Sequence, residues 1–202
     1  MKIIFATGNQ NKMREVREIM EGTGYEIVSM KEAGIESDPE ETGATFEENV
    51  LIKARDVAVK LSDEDKGKVI VLADDSGLEV DYMDKAPGVY SARFMGHETS
   101  YDIKNNAILE KLEGVPEEKR TARFVCAIGA IFPDGKEEVV LKTMEGKIGH
   151  KISGANGFGY DPIFIPEGYD VTSADISPEE KNKISHRGKA LRKMKELLTK
   201  RM

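Results

Sequence analysis

With 202 residues, of which 39% are hydrophobic, the chain is long enough for one packed domain or for two lobes that share a core. The net charge of −7 argues against a protein that coats nucleic acid, although a small anionic ligand needs only a local positive pocket. The single cysteine, Cys126, excludes an internal disulfide and a thiolate zinc site. No apolar run has membrane-spanning length, and no signal peptide precedes the first strand-like run, so we expect a cytoplasmic protein with no membrane partner.

Apolar periodicity divides the chain into alternating strands and helices, followed by a hairpin. Strands are predicted over 2–6, 25–28, 68–73, 121–132 and 138–144, and 78–80 is expected to continue the third strand after a bend. Helices are predicted over 12–20 and 101–112, from Thr45 through Leu61, and from Pro178 to the C-terminus. Thr45 and Glu48 have the spacing of a capping box, and residues 133–136 have the composition of a hairpin turn. This order predicts an α/β fold with a mixed sheet, formed as one domain over residues 1–202.

The first candidate site is the turn between the first strand and the first helix. A helix N-terminus offers backbone N–H groups and a partial positive charge to a phosphate group. Gly8 allows close approach of the backbone, and Lys12 adds a full charge. The candidate phosphate-binding residues are Thr7, Gly8, Asn9, Gln10, Asn11 and Lys12. The spacing is not that of a Walker A loop, and an ordinary strand–helix connection is the alternative.

The second candidate site is Asp74-Asp75-Ser76-Gly77, which is predicted to follow a buried strand. Ligands of α/β sheets gather at the carboxyl ends of strands, and adjacent carboxylates repel each other unless a cation neutralises them. Carboxylate oxygens suit Mg²⁺, which is usually held by one or two carboxylates together with substrate phosphates. Glu41 is a further source of a ligand. The alternative for each acidic segment is a solvated loop.

Two further segments could contact a flat ligand. Glycines flank the aromatic residues of Gly157-Phe158-Gly159-Tyr160-Asp161, which suggests a stacking platform; the alternative is a flexible loop whose aromatic side chains pack into the core. Lys181, His186 and Arg187 could bind phosphate or a base edge, or could form a solvated basic face. Together, the four segments supply the parts needed to bind and cut a nucleotide polyphosphate.

In this combination and order, the motifs resemble those of the inosine triphosphate pyrophosphatase family, also called the Ham1-like non-standard purine nucleoside triphosphatases. The resemblance covers nearly the whole chain. The matching stretches are Ala6-Thr7-Gly8-Asn9 with Lys12, Glu41-Thr42-Gly43 with Thr45-Phe46, Glu48-Asn49, Lys53-Ala54, Ala73-Asp74-Asp75-Ser76-Gly77-Leu78, Pro87-Gly88-Val89-Tyr90-Ser91-Ala92-Arg93, Asp102 with Asn105-Asn106, Gly157-Phe158-Gly159-Tyr160-Asp161-Pro162, Lys181-Asn182 and Ser185-His186-Arg187-Gly188-Lys189-Ala190-Leu191.

The resemblance implies an elongated mixed β-sheet flanked by helices, with two lobes, a central active-site cleft and usually a homodimer. It implies Mg²⁺-dependent hydrolysis of ITP, dITP and XTP to the monophosphate and pyrophosphate, which cleanses the nucleotide pool. The rival classes are a nucleotide-binding regulator without turnover, a pyrophosphatase with another base preference, and a phosphotransferase that uses the same metal.

The resemblance also implies roles for individual residues. Asp75 would be the general base or a metal anchor, and Asp74 and Glu41 would support the metal. Residues 7–12, Lys53 and Ser76 would hold phosphate oxygens. The nucleoside would be contacted by Phe158, Gly159, Tyr160, Asp161, Lys181, His186 and Arg187, with the last two as donors to the purine 6-position.

Overall fold

The computed structural model describes residues 1–200 and contains a six-stranded mixed sheet with flanking helices. The strands are β1 (Lys2–Ala6), β2 (Glu26–Ser29), β3 (Ile70–Val80), β4 (Thr121–Ile131), β5 (Glu137–Ile148) and β6 (Phe164–Pro166). The α-helices are α1 (Gln10–Met20), α2 (Phe46–Val59), α3 (Tyr101–Lys111), α4 (Pro178–Ile184) and α5 (His186–Lys200). None of the helices described is long and apolar enough to cross a membrane.

The sheet has the strand order β2-β1-β3-β4-β5-β6. β1 pairs in parallel with both β2 and β3, whereas β5 and β6 are antiparallel, which confirms the predicted mixed α/β sheet. In the β1–β3 pair, Ala6 lies opposite Ala73. The turn after β1 therefore begins beside the position at which β3 reaches Asp74.

The chain forms two compact units, each with its own apolar core. Among the described residues, unit 1 contains Met1–Asp75, Cys126–Lys142 and residues 187–200. Its core includes Phe5, Leu72, Ile128 and Leu191, all fully buried. Unit 2 contains Ser76–Val125 and Thr143–His186. Its core includes Leu78, Ile108, Ile148 and Phe164, again fully buried.

Three elements differ most clearly from the sequence-based prediction, and β6 was not predicted. β3 continues without a bend through residues 74–77, so the acidic pair lies inside a strand rather than after it. The last helical region is two helices, because Ser185 takes an extended conformation and ends α4. β5 extends to Ile148, beyond the predicted end at Met144, because its last residues pair with β6.

Candidate active site

The turn after β1 is shaped by its own side chains. The Thr7 hydroxyl accepts a hydrogen bond from the Asn9 amide at 3.2 Å. The Asn9 carboxamide caps α1 by accepting from the amides of Asn11 (2.9 Å) and Lys12 (3.2 Å), as polar residues at helix starts do. This cap explains why α1 begins at Gln10, two residues before the predicted start. Two of the amides that were expected to face phosphate are therefore engaged by Asn9.

Asp74 lies on β3 and is surrounded by cations in unit 1. It is 1% exposed. Its Oδ2 atom lies 3.0 Å from Lys12 Nζ and 3.2 Å from Arg187 Nη2. Burial alone would raise the pKa of Asp74, but the charges of Lys12 and Arg187 outweigh it and hold that pKa well below its ordinary range. The cations around Asp74 therefore favour its ionised form.

Glu15 completes this cluster, and sequence reasoning did not single it out. Its carboxylate accepts a hydrogen bond from Arg187 Nη1. It is 8% exposed although it is charged, and it lies three positions after Lys12 on α1. The available signal was this spacing, because residues three positions apart are neighbours on a helix surface, so Glu15 lies beside Lys12. Glu15 and Asp74 together hold the Arg187 guanidinium and raise its pKa although burial opposes this.

Asp75, the next residue, has a different environment. Consecutive strand residues point to opposite faces of the sheet. The Asp75 Oδ1 atom lies 3.3 Å from Lys53 Nζ, which in turn lies 3.0 Å from Glu41 Oε1. Burial raises the pKa of Asp75, and Lys53 offsets this only in part. Burial also lowers the pKa of Lys53, but the neighbouring carboxylates outweigh that effect and raise it, so Lys53 stays charged.

The two adjacent carboxylates thus have pKa values displaced in opposite directions. Environments that separate the pKa values of neighbouring titratable groups are typical of acid–base sites. Asp74 is suited to act as a fixed negative charge, and Asp75 is suited to accept a proton. Ser76 follows on β3 and is half-buried.

The donor set of unit 1 is compatible with Mg²⁺. The side chains of Glu41 and Asp75 are 25% and 8% exposed, whereas that of Asp74 is fully buried against Lys12 and Arg187. Within residues 1–200, no three His, Cys, Asp or Glu side chains are grouped closely enough to hold an ion by themselves. Mg²⁺ usually takes one or two carboxylates and completes its shell with water and substrate phosphates, so the pair of Glu41 and Asp75 fits this ion.

In unit 2, Asp161 organises the glycine-rich segment. Its Oδ2 atom lies 2.6 Å from Lys181 Nζ and accepts a hydrogen bond from the Phe158 amide at 2.8 Å. Gly157 has φ +75°, and a Cβ atom there would lie 2.2 Å from Asp161 Oδ2, so only glycine fits. Lys181 Nζ also lies 5.4 Å from the centroid of the Phe158 ring. The half-buried Phe158 ring is therefore held beside a buried ion pair.

Tyr160 belongs to the core of unit 2 and is not an exposed stacking residue. It is 3% exposed, its hydroxyl donates to the Ser91 carbonyl at 2.7 Å, and its ring meets Tyr101 edge-on at 5.2 Å. The backbone carbonyl of Gly159, which directly precedes Tyr160, accepts a hydrogen bond from Asn105 Nδ2 at 3.1 Å. For Tyr160, the alternative of packing into the core is correct, and Phe158 is the aromatic side chain left for stacking.

His186 and Arg187 are adjacent in sequence but have separate surroundings. The His186 ring stacks on Phe124 in unit 2, with centroids 4.9 Å apart and an interplanar angle of 12°. The Arg187 guanidinium contacts Asp74 and Glu15 in unit 1. Recognition of a base by the Arg187 side chain is therefore not supported by this arrangement, because two buried carboxylates already hold the guanidinium.

Comparison with known proteins gives consistent matches over the whole chain. The model of the Ham1 family matches residues 3–197. A dITP/XTP pyrophosphatase of Caldanaerobacter subterraneus subsp. tengcongensis is 50% identical and is aligned over 100% of this chain and 98% of its own. The dITP/XTP pyrophosphatase of Bacillus subtilis is 44% identical over 96% of each chain. The structure of the Ham1 protein of Staphylococcus aureus superposes with a TM-score of 0.86, at 37% identity and 100% coverage of both chains.

Proposed function

Because the chain belongs to the Ham1 family, we propose that it hydrolyses non-standard purine nucleoside triphosphates, namely ITP, dITP and XTP, to the monophosphate and pyrophosphate. In the cell this reaction would cleanse the nucleotide pool. One observation carries the proposal: two adjacent buried carboxylates have oppositely displaced pKa values and lie beside Lys12 and Lys53. Such a site can activate a water molecule and neutralise a polyphosphate at the same time.

The reaction adds water across the bond between the α-phosphorus and the bridging oxygen to the β-phosphate. Asp75 takes a proton from the attacking water, since its pKa is raised toward the range in which a carboxylate is a useful base. The alternative role of Asp75 is to anchor the metal. Lys12 and Lys53 balance the charge that develops on the pyrophosphate leaving group. Thr7, Gly8, Gln10 and Ser76 hold phosphate oxygens by backbone or hydroxyl groups, while Asn9 keeps the turn in shape.

We also propose that the enzyme depends on Mg²⁺, held by Asp75 and Glu41 together with the substrate phosphates. When bound, the ion would lower the negative charge of the phosphates and orient them. Asp74 supports this site as a fixed charge, because Lys12 and Arg187 keep it ionised.

Base recognition is assigned to unit 2. Phe158 stacks on the purine and gives affinity without selectivity. Selectivity comes from hydrogen bonds: inosine and xanthosine have a carbonyl at position 6 and a hydrogen on N1, whereas adenosine has an amino group and a bare N1. His186 is the donor for the carbonyl, Asp161 accepts from N1–H, and Lys181 holds Asp161 through their 2.6 Å pair. A dedicated hydrogen-bonding pocket can discriminate by about 10⁴-fold or more.

A panel assay tests the proposal. ITP, dITP, XTP, ATP, GTP and CTP are incubated with the protein and Mg²⁺, and the products are identified by chromatography. We expect monophosphate and pyrophosphate from the first three substrates, with turnover abolished by a chelator and restored by Mg²⁺. Release of inorganic phosphate alone would contradict the cleavage position, and full turnover in a chelator would contradict the metal. Comparable kcat/KM values for ATP and ITP would contradict the base pocket.

We further propose a homodimer that acts in the cytoplasm. The support is the family membership together with two-fold pairing as the commonest oligomer. Light scattering should give twice the mass of the chain, and a monomer at working concentration would contradict the proposal.

A further inference from the structure

Asn49 connects helix α2 to the segment that carries Glu41. Its side chain is fully buried, and its Oδ1 atom accepts a hydrogen bond from the Gly43 amide at 2.8 Å. Gly43 lies two residues after Glu41, whose carboxylate lies 3.0 Å from Lys53 Nζ. Asn49 and Lys53 are one turn apart on α2, so the same helix face holds this segment at two points.

The segment lies so close to α2 that only glycine fits at position 43. A Cβ atom there would lie 2.6 Å from Asn49 Oδ1 and 2.9 Å from the Asn49 amide nitrogen. One of these neighbours is backbone and cannot move away. The contact therefore depends on both residues: on the carboxamide of Asn49 and on the missing side chain of Gly43.

The side-chain carboxamide of Asn49 lowers the stability of the fold, so its presence calls for a compensating role. Among the residues that the structure describes, its Nδ2 group has no hydrogen-bond partner. A buried donor without a partner destabilises a fold, and an apolar side chain of similar size would avoid that loss. The contact to Gly43 is thus what the asparagine contributes, and an apolar replacement should affect the Glu41 segment more than the stability of the fold.

We propose that Asn49 is a positioning residue that fixes Glu41 for binding of the divalent cation. This inference rests on the function proposed above. Groups that orient metal ligands typically contribute about 10- to 100-fold to metal affinity.

The test compares Asn49→Leu with Val50→Ala, a cavity-forming change at the next position of α2. Val50 is fully buried and has no part in the Gly43 contact. Binding of Mn²⁺ to the protein alone is measured by electron paramagnetic resonance, and stability is measured by urea unfolding. For Asn49→Leu we expect the Kd for Mn²⁺ to rise by about 10- to 100-fold with little loss of stability. For Val50→Ala we expect the reverse, namely lower stability and unchanged Mn²⁺ affinity. Asn49→Asp keeps an acceptor for the Gly43 amide and should regain most of the affinity.

Two outcomes would overturn the role of Asn49 alone. One is wild-type Mn²⁺ affinity in Asn49→Leu, and the other is an equal loss of affinity in Val50→Ala. If either occurs while the wild-type protein still hydrolyses ITP with a metal, only the role of Asn49 fails. If the wild-type protein neither binds Mn²⁺ nor hydrolyses any triphosphate, the proposed function fails, and the role of Asn49 fails with it.

Discussion

Replacing Arg187 by methionine removes the guanidinium that joins Glu15 and Asp74. The side chain of Arg187 is 3% exposed, and that of Asp74 is fully buried. Methionine keeps much of the length and apolar volume, so the main loss is the positive charge. Both carboxylates would then remain buried with less compensation.

The expected loss of stability follows from this burial. Removing one partner of a buried ion pair costs about 3–5 kcal/mol, because the other charge is left in a poorly solvated place. Lys12 stays 3.0 Å from Asp74, so the lower end of that range applies. For a chain of this size, about 3 kcal/mol corresponds to a decrease in Tm of about 6–12 °C.

Arg55 provides a matched control. It makes two hydrogen bonds of 2.7 Å to Glu137, but its side chain is 56% exposed. Arg55→Met should cost less than about 1 kcal/mol, since solvent screens an exposed pair. Calorimetry and urea unfolding at neutral pH measure both variants. Equal small losses in the two would refute the argument that burial makes the Arg187 contacts important.

Three further predictions concern catalysis. Asp75→Asn should lower turnover by about 10²–10⁴-fold with an unchanged circular dichroism spectrum, and near-normal pyrophosphate release would remove Asp75 from the mechanism. Because burial raises the pKa of Asp75, kcat/KM should fall as the pH drops through a value above the ordinary aspartate pKa; an acidic limb at or below about pH 3.9 in the pH–rate profile would contradict this. Lys181→Met breaks the 2.6 Å pair with Asp161 and should raise KM for ITP more than it lowers kcat, whereas Lys183→Met, which removes an exposed pair with Glu179, should change neither.

Elements with a local sequence signal were predicted closely. β1 matches at both ends, and the predicted α3 and β4 each end one residue beyond the observed end. The signals for these elements, apolar spacing and turn residues, lie within the elements themselves or directly beside them. The continuation of β3 through Asp74 and Asp75 was not predicted, since acidic residues and glycine are poor strand formers. Lys12 and Arg187 compensate the charge of Asp74, and Lys53 compensates that of Asp75. All three cations are distant in sequence, so a local pattern does not reveal them.

The candidate site shows the same limit. Sequence motifs identified Asp74 and Asp75 as a pair, but their different roles depend on which cations surround each one. Arg187 was placed with the base-binding residues because basic side chains grouped near a helix can bind phosphate or a base edge. Its actual partners, Glu15 and Asp74, are set by the packing of α5 on the core of unit 1.

The contacts of Arg187 also set an order of events during synthesis. Arg187 follows Asp74 by 113 residues and Glu15 by 172 residues. At about 5–20 residues per second, a ribosome needs roughly 6–23 s to pass from Asp74 to Arg187. During that interval Lys12 and Lys53 are the cations available to Asp74. Unit 1 therefore completes its charge balance only after α5 begins to emerge, and nascent chains stopped before Arg187 should be degraded faster than the full chain.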